Sequence, residues 1–252
     1  MNNTYSTVKA LVLRERNFKE NDKILTVLTA EAGKQTYIAS GARRKGSRIK
    51  SACQQLTFNE FTVFEYKDWT SVNEAETIEP FTGLRNDLDK LFLAAYISEL
   101  TEVIADEDCA NPALLQLVLN TLYAVSELDM DLALVKAAFE LRIMCLAGYE
   151  PMLDGCCVCS SEKPDVINLQ QGSVHCVACS SATGAGELVN MPFPVYEAMK
   201  HIVSCNPKRI FSFSLDKPYL KKLGEITEKY VTTQLERRFE TLDLYLSLQN
   251  GV

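Results

Sequence analysis

The residues best suited to chemistry are four cysteines set as Cys156-Cys157-Val158-Cys159 and Cys176-Val177-Ala178-Cys179, two C-x2-C knuckles with sixteen residues between them. A C-x2-C turn lets two thiolates face one ion, and two such turns brought together complete the tetrahedral four-thiolate shell of structural zinc. The expected ligands are Cys156, Cys159, Cys176 and Cys179, holding one structural Zn2+. Cys157 lies between two ligands and is expected to point away, and His175 replaces a ligand only if its loop rearranges. Four thiolates leave no open position for water or substrate, so the chemistry is that of a staple. The intervening Ser160–Ser173 reads as a polar loop with too little apolar surface to order itself. The competing chemistry is a pair of redox-active dithiols, although those use one pair beside a βαβ unit.

Groups for catalysis are scarce. The only histidines are His175 and His201, no H-E-x-x-H or phosphate loop is present, and carboxylate pairs such as Asp87 with Asp89 fall on polar faces. The expectation is a protein that is not an enzyme. Cys53, Cys109, Cys145 and Cys205 stand singly, where the default is a small buried hydrophobe. Nine cysteines is an odd number, and the first thirty residues have no apolar signal core, so a cytosolic protein without a disulfide framework is expected. The longest apolar run, Leu91–Ile97, is far below the roughly 20 residues that span a bilayer, which predicts no membrane partner.

The second constellation is cationic. Over 252 residues, 26 Lys+Arg face 33 Asp+Glu for a net of −7, which taken alone speaks against a nucleic-acid partner. By position the charge is segregated: residues 1–50 carry a net of +7, residues 51–80 a net of −5, and the rest a net of −9. The peak is Gly41–Lys50, with five cations and no acid. Two glycines there permit close backbone approach, and the cations suit a phosphate chain. The candidate contacts are Arg43, Arg44, Lys45, Arg48 and Lys50, extended to Lys34 because no acid falls between Lys34 and Lys50. Tyr37, Phe58, Phe61, Phe64, Tyr66 and Trp69 interleave with the nearby strands. Most belong in a core, and Trp69, near a turn, is the best placed to face solvent and stack on a base.

These residues need elements to position them. Val8–Arg14, Ile24–Ala30, Lys34–Ala39, Leu56–Lys67 and Thr70–Glu79 read as strands, with Glu31-Ala32-Gly33 closing an antiparallel hairpin and a bulge near Asn59-Glu60. Five short strands in about 75 residues fit a small closed barrel of the oligonucleotide/oligosaccharide-binding (OB) type, an SH3-like barrel giving a similar pattern. From residue 84 the apolar spacing turns helical: one helix through Leu100, one capped by Asn111-Pro112, one over Asp131–Ala147 ended by Gly148 and Pro151, then Val195–Ser204 and Tyr219–Leu248, interrupted at Gly224. The predicted architecture is α+β and multidomain: an OB-type barrel over 1–80, then a mainly α-helical domain over 81–252 with an inserted four-cysteine zinc finger at about 150–182.

The run Leu11-Val12-Leu13, Arg16 to Asp22, the Gly33-Lys34 turn, Ala39 to Lys45 with Ser47-Arg48, and Gly148-Tyr149-Glu150-Pro151 leading into the knuckles together resemble the bacterial RecO family of DNA repair proteins. The likeness covers nearly the whole chain in order, most specifically in the barrel and the cysteine segment. It implies a recombination mediator that binds single- and double-stranded DNA, anneals complementary strands, and works with RecR to load RecA onto strands coated by single-strand-binding protein. It further implies a bacterial cytoplasmic, nucleoid-associated protein. It places the family's basic barrel loop on Arg43, Arg44, Lys45 and Arg48 and the zinc ligands on the four cysteines already named. A reading from another class, a redox-switched zinc protein akin to a thiol-regulated chaperone, uses the same knuckles with Cys157.

Overall fold

A computed structural model of the chain describes residues 4–66, 69–182 and 184–249. Five strands, β1 (Thr4–Phe18), β2 (Asp22–Thr29), β3 (Gly33–Ala39), β4 (Phe58–Tyr66) and β5 (Trp69–Glu79), form a closed barrel in the order β1-β2-β3-β5-β4. β3 runs parallel to β5 while every other pairing is antiparallel. That order and the single parallel pairing are those of an OB-type barrel rather than a simple meander. Closure depends on the length of β1: its first half, Thr4–Leu11, pairs with β4, and its second half, Ala10–Phe18, pairs with β2 across a register shift at Val12/Arg14. The predicted end of the fourth strand, Lys67, lies outside the described residues.

The β2–β3 hairpin turns where the sequence places it, with Gly33 at φ +59°. Thr29 Oγ1 accepts from the Ala32 amide at 3.0 Å and donates to Gly33 O at 3.2 Å. A methyl group on Gly33 would meet Cys109 O and, at 2.5 Å, Asp106 O, so the turn is fixed both by its dihedral and by backbone laid against it. Gly33→Ala is therefore expected to destabilise the protein by about 1–3 kcal/mol. Urea titration should show a lower midpoint at an unchanged slope, and an unchanged midpoint would refute this account of the turn.

The irregularity expected near Asn59-Glu60 is present on β4. Asn59, Phe61 and Val63 share one buried phase, with Phe58 half-buried on the other. The register shifts fall at Phe58/Asn59 and Thr62/Val63. Asn59 earns its interior place by donating from Nδ2 to Ala52 O, Thr57 O and Thr57 Oγ1. The segment between β3 and β4 is a series of turns whose apolar members, Ala42, Ile49, Ala52 and Cys53, join the barrel core with Val12, Leu25, Val27, Tyr37, Phe61 and Val72. Burial pushes the Cys53 thiol up to about 12, against the nearby Lys23 charge.

The contacts divide the chain into two compact units. One runs to Leu128 and takes up the chain again at Phe239, and the other is Asp129–Arg238. In the first, the barrel is joined by α1 (Leu88–Ile104), α2 (Pro112–Glu127) and α6 (Glu240–Gln249). Asp87 caps α1 by accepting from the Asp89 and Lys90 amides, and Asn111 caps α2 by accepting from Leu114 N at 3.0 Å. Ser98 Oγ donates to Leu13 O at 2.7 Å, tying α1 to β1. α6 is held to α1 by the edge-to-face pair Tyr96–Phe239, 5.7 Å between centroids, and by Thr241 donating to Glu99 Oε2.

The second unit contains α3 (Leu132–Leu146), a three-stranded antiparallel sheet of β6 (Val166–Asn168), β7 (Ser173–His175) and β8 (Leu188–Asn190), then α4 (Phe193–Ser204) and α5 (Lys217–Gln234). Two expectations are corrected here. The 160–173 segment is not a featureless loop: Ile167 and Leu169 are fully buried, with Val174 and Met191, and they hold the small sheet. The last helical stretch does not break at Gly224, which sits inside α5 with open space around it. The helix ends after Gln234 and the chain turns at Glu236, φ +49°.

Candidate metal centre and basic loop

The small sheet positions the cysteines. In the first knuckle, Gly155 at φ +128° and Ser160 at φ +58° reverse the chain on either side. The Cys156 amide donates to Ser161 O at 2.9 Å, Ser160 N to Cys156 O at 2.8 Å, and Cys157 N to Val174 O at 3.0 Å, which sets the knuckle against β7. The second knuckle follows β7 directly, with Cys179 N donating to Cys176 O at 2.9 Å and Val177 N to Asp165 Oδ1 at 2.6 Å. Gly172, at φ +62°, closes the β6–β7 turn against the Tyr230 hydroxyl.

The result is a four-sulfur group, Cys156, Cys159, Cys176 and Cys179, with all Sγ atoms within 4.8 Å of one another. A tetrahedral shell with metal–sulfur bonds near 2.3 Å has sulfur–sulfur edges of about 3.8 Å. Cys159 and Cys176 are already 3.8 Å apart. The four residues fit one metal ion in a closed tetrahedral shell, the set the spacing predicts. Burial raises the Cys156 thiol, but backbone amides of Cys159, Cys176 and Val158 outweigh it and draw the group down to about 6. The Cys176 amide, 3.3 Å from Cys156 Sγ, is one of these donors. Cys179 is pushed up to about 12, first by its hydrogen bond to Cys159 and then by burial. A cation must displace the Cys179 proton to form the full shell, so metal affinity falls as pH falls.

Cys157 is exposed and outside the group, as expected. His175 is not a ligand: it is buried in β7 with its Nε2 2.8 Å from Ser173 Oγ. Of the single cysteines, Cys53 is buried and Cys145 partly so, its thiol pushed to about 12 chiefly by burial, whereas Cys109 is exposed on a loop, against the default.

The cations of the β3–β4 segment divide differently from their order in sequence. Arg43, Arg44, Lys45, Arg48 and Lys50 are all exposed, because the apolar residues between them plug the barrel and leave the charged ones outside. Arg43 also fastens the loop: its amide donates to Asn21 O at 2.9 Å, and Nη1 to Lys19 O and Glu20 O at 3.2 and 3.0 Å. Gly41, at φ +70°, donates its amide to Asp22 Oδ1 at 2.8 Å, a second tie to the β1–β2 turn. Lys34 is not brought to this loop. It lies at the other end of β3, and its Nζ donates to Glu102 O at 3.0 Å. Lys50 lies beside Lys23, Gln54 and Arg85 in a shallow pocket of about 290 Å3. Acidic residues of the next stretch lie on β4 and β5, where Glu60 sits opposite Glu76. Sequence reasoning missed the anchoring role of Arg43, whose carbonyl partners leave no local signal.

The chain thus pairs an OB-type barrel that carries an exposed cationic loop with a four-cysteine group able to hold a metal ion. Among the described residues no helix is long and apolar enough to cross a membrane. Two family models match in tandem: Recombination protein O N terminal over residues 1–81 and Recombination protein O C terminal over residues 85–243. The chain is 30% identical over 247 residues to DNA repair protein RecO of Acetivibrio thermocellus, with 97% of each chain covered. It is 29% identical over 237 residues to the RecO of Desulforamulus reducens, covering 93% of this chain and 91% of that one. It is 28% identical over 251 residues to that of Symbiobacterium thermophilum. The chain belongs to the RecO family, a family of DNA repair and recombination proteins.

Proposed function

We propose that this protein is a non-enzymatic, DNA-binding recombination mediator. It anneals complementary strands and acts with RecR to load RecA onto single strands coated by single-strand-binding protein, in the bacterial cytoplasm at the nucleoid. The observation that carries the reading is the exposed cationic loop Arg43–Lys50 on an OB-type barrel, fastened at its base by Arg43 and Asp22. Arg44, Lys45, Arg48 and Lys50 would contact phosphates of single- or double-stranded DNA, with Arg43 both contacting and positioning. Lys34, engaged at the far end of β3, stands outside this set. Cys156, Cys159, Cys176 and Cys179 would hold one Zn2+, whose role is to order the β6–β8 segment. The donor set supports that identity, since four thiolates in a closed shell suit zinc.

The test is an annealing assay with two complementary, fluorescently labelled oligonucleotides, alone and with single-strand-binding protein. The reading expects this chain to accelerate pairing severalfold, and expects RecA filaments to form on coated strands only when RecR is added. If the chain bound no DNA, while mild peroxide released its metal and switched on a chaperone activity, the redox-switched reading built on Cys157 would replace this one.

A further inference from the structure

Where β1, β2 and the first helical turns after the barrel meet, a pocket of about 290 Å3 opens beside Lys50, the last residue of the basic loop. Its charged lining is Glu15, Lys23, Lys50 and Arg85, three cations against one acid. Glu15 is engaged by Lys23 in an ion pair that leaves only 15% of the Lys23 side chain exposed. That pair is neutral, so the pocket keeps two uncompensated positive charges, on Lys50 and Arg85. Lys50 is exposed and has no ion pair among the described residues.

Arg85, on the single turn Thr82–Asn86, is fixed without being neutralised. Its Nη1 donates to Pro80 O at 2.9 Å and its Nη2 to Gln55 O at 3.0 Å. Both acceptors are carbonyls without formal charge, and a guanidinium has further N–H groups to offer a ligand. The pocket's other side is apolar, with Leu56 and Leu84 buried and Leu91 half-buried. An apolar wall holds water back and strengthens the pull of the two cations on an anion. The backbone bends to make this shape: Leu56 stands at φ +62°, a left-handed conformation that leucine disfavours. Its amide donates to Val12 O at 2.8 Å, and the Val12 amide donates to Thr57 O at 3.0 Å, which holds the turn against β1. Strain of this kind clusters at ligand sites. A cationic lining is not general to the barrel's clefts, since another, of about 400 Å3, sets Glu65, Glu107 and Asp108 against Lys34.

Charge decides the ligand. Two uncompensated cations match a phosphate monoester or orthophosphate, at about −1.5 to −2 near neutral pH, better than a backbone phosphodiester, at about −1. We propose that this pocket binds a phosphate dianion, clamped between Arg85 and Lys50, either as free orthophosphate or as the terminal monoester of a nucleic-acid strand. The strand-end form rests on the DNA-binding reading above, and the free form does not.

The full-length protein is titrated calorimetrically with orthophosphate and with dimethyl phosphate, a tetrahedral monoanion, at constant ionic strength. Orthophosphate should bind saturably, and dimethyl phosphate should not. Lys50→Gln, which removes no side-chain hydrogen bond or ion pair among the described residues, should weaken orthophosphate roughly 10-fold, the worth of one charge-assisted hydrogen bond. Arg85→Gln should abolish the binding. A second titration, by anisotropy, compares 3′-labelled oligonucleotides of one sequence that carry a 5′-phosphate or a 5′-hydroxyl. A preference of roughly 10-fold for the 5′-phosphate, lost in Arg85→Gln and under competition with orthophosphate, would identify the strand end as the source. Saturable orthophosphate binding with equal affinity for the two oligonucleotides would identify free phosphate, and the proposal stands in that form. No orthophosphate binding, equal binding of dimethyl phosphate, or binding that both variants leave intact would overturn the pocket. Oligonucleotide binding without orthophosphate binding overturns the pocket and leaves the basic-loop reading standing. Orthophosphate binding without oligonucleotide binding overturns that reading and leaves the pocket.

Discussion

Cys176→Ser is expected to lower the metal content from one ion per chain to none and to unfold the β6–β8 segment without abolishing the barrel. Cys176 follows β7 directly and its amide donates to Cys156 Sγ, so the residue links both knuckles as ligand and as backbone donor. The strands it joins are only three residues each, below the usual length of about 5–6, so the sheet has little backbone pairing of its own. A metal bound at this cluster would therefore couple to local folding. With free metal 1,000-fold above its dissociation constant, the linkage stabilises this unit by about 4 kcal/mol. Elemental analysis reads the first part of the prediction, and amide hydrogen exchange across residues 156–191 reads the second. Cys157→Ser is the control, expected to retain the ion because Cys157 is exposed and outside the four-sulfur group. Full protection of the sheet in Cys176→Ser would show that the buried Ile167, Leu169 and Val174 suffice without a metal.

The triple substitution of Arg44, Lys45 and Arg48 by Ala is expected to cost about 100-fold in affinity for single-stranded DNA at 0.1 M salt. Each single-strand phosphate contact contributes about 0.7 to the slope of log affinity against log salt. Three contacts make about 2.1, which is also about two decades between 0.1 M and 1 M salt. All three side chains are exposed, so the fold should not change. Arg43 is left in place on purpose. Its guanidinium holds Lys19 O and Glu20 O, so Arg43→Ala would release the loop as well as remove a charge, and the two effects would mix. An unchanged slope in the triple variant would move the phosphate contacts elsewhere on the molecule.

How much of this was legible in the sequence depends on how local each signal is. The clustering of Cys156, Cys159, Cys176 and Cys179 was legible, because C-x2-C spacing already fixes which thiolates share a face. The Gly33 turn, the Asn111-Pro112 start and the Gly148 stop were legible for the same reason, each being a dihedral or capping requirement met within a few residues. The β6–β8 sheet was not, since three-residue strands give periodicity nothing to repeat. The end of α5 was not either: no Gly or Pro marks Glu236, and Gly224 misleads because an open helix face tolerates it. Lys136 is another case. It sits buried on α3 with Glu140 at 2.9 Å and Glu228 of α5 at 3.1 Å, the second a partner found only in three dimensions. The cationic loop stood out by composition, but composition could not separate Lys34 from it. That separation follows from β3 running between them.

The central claim is that a chain of net charge −7 binds nucleic acid through a cationic loop on its barrel. Fluorescence anisotropy of the unaltered full-length protein with a labelled single-stranded oligonucleotide, repeated between 50 and 400 mM salt, tests it most directly. Five phosphate contacts predict saturable binding with a log–log slope near −3.5. No binding at 50 mM salt, or a slope near zero, would contradict it.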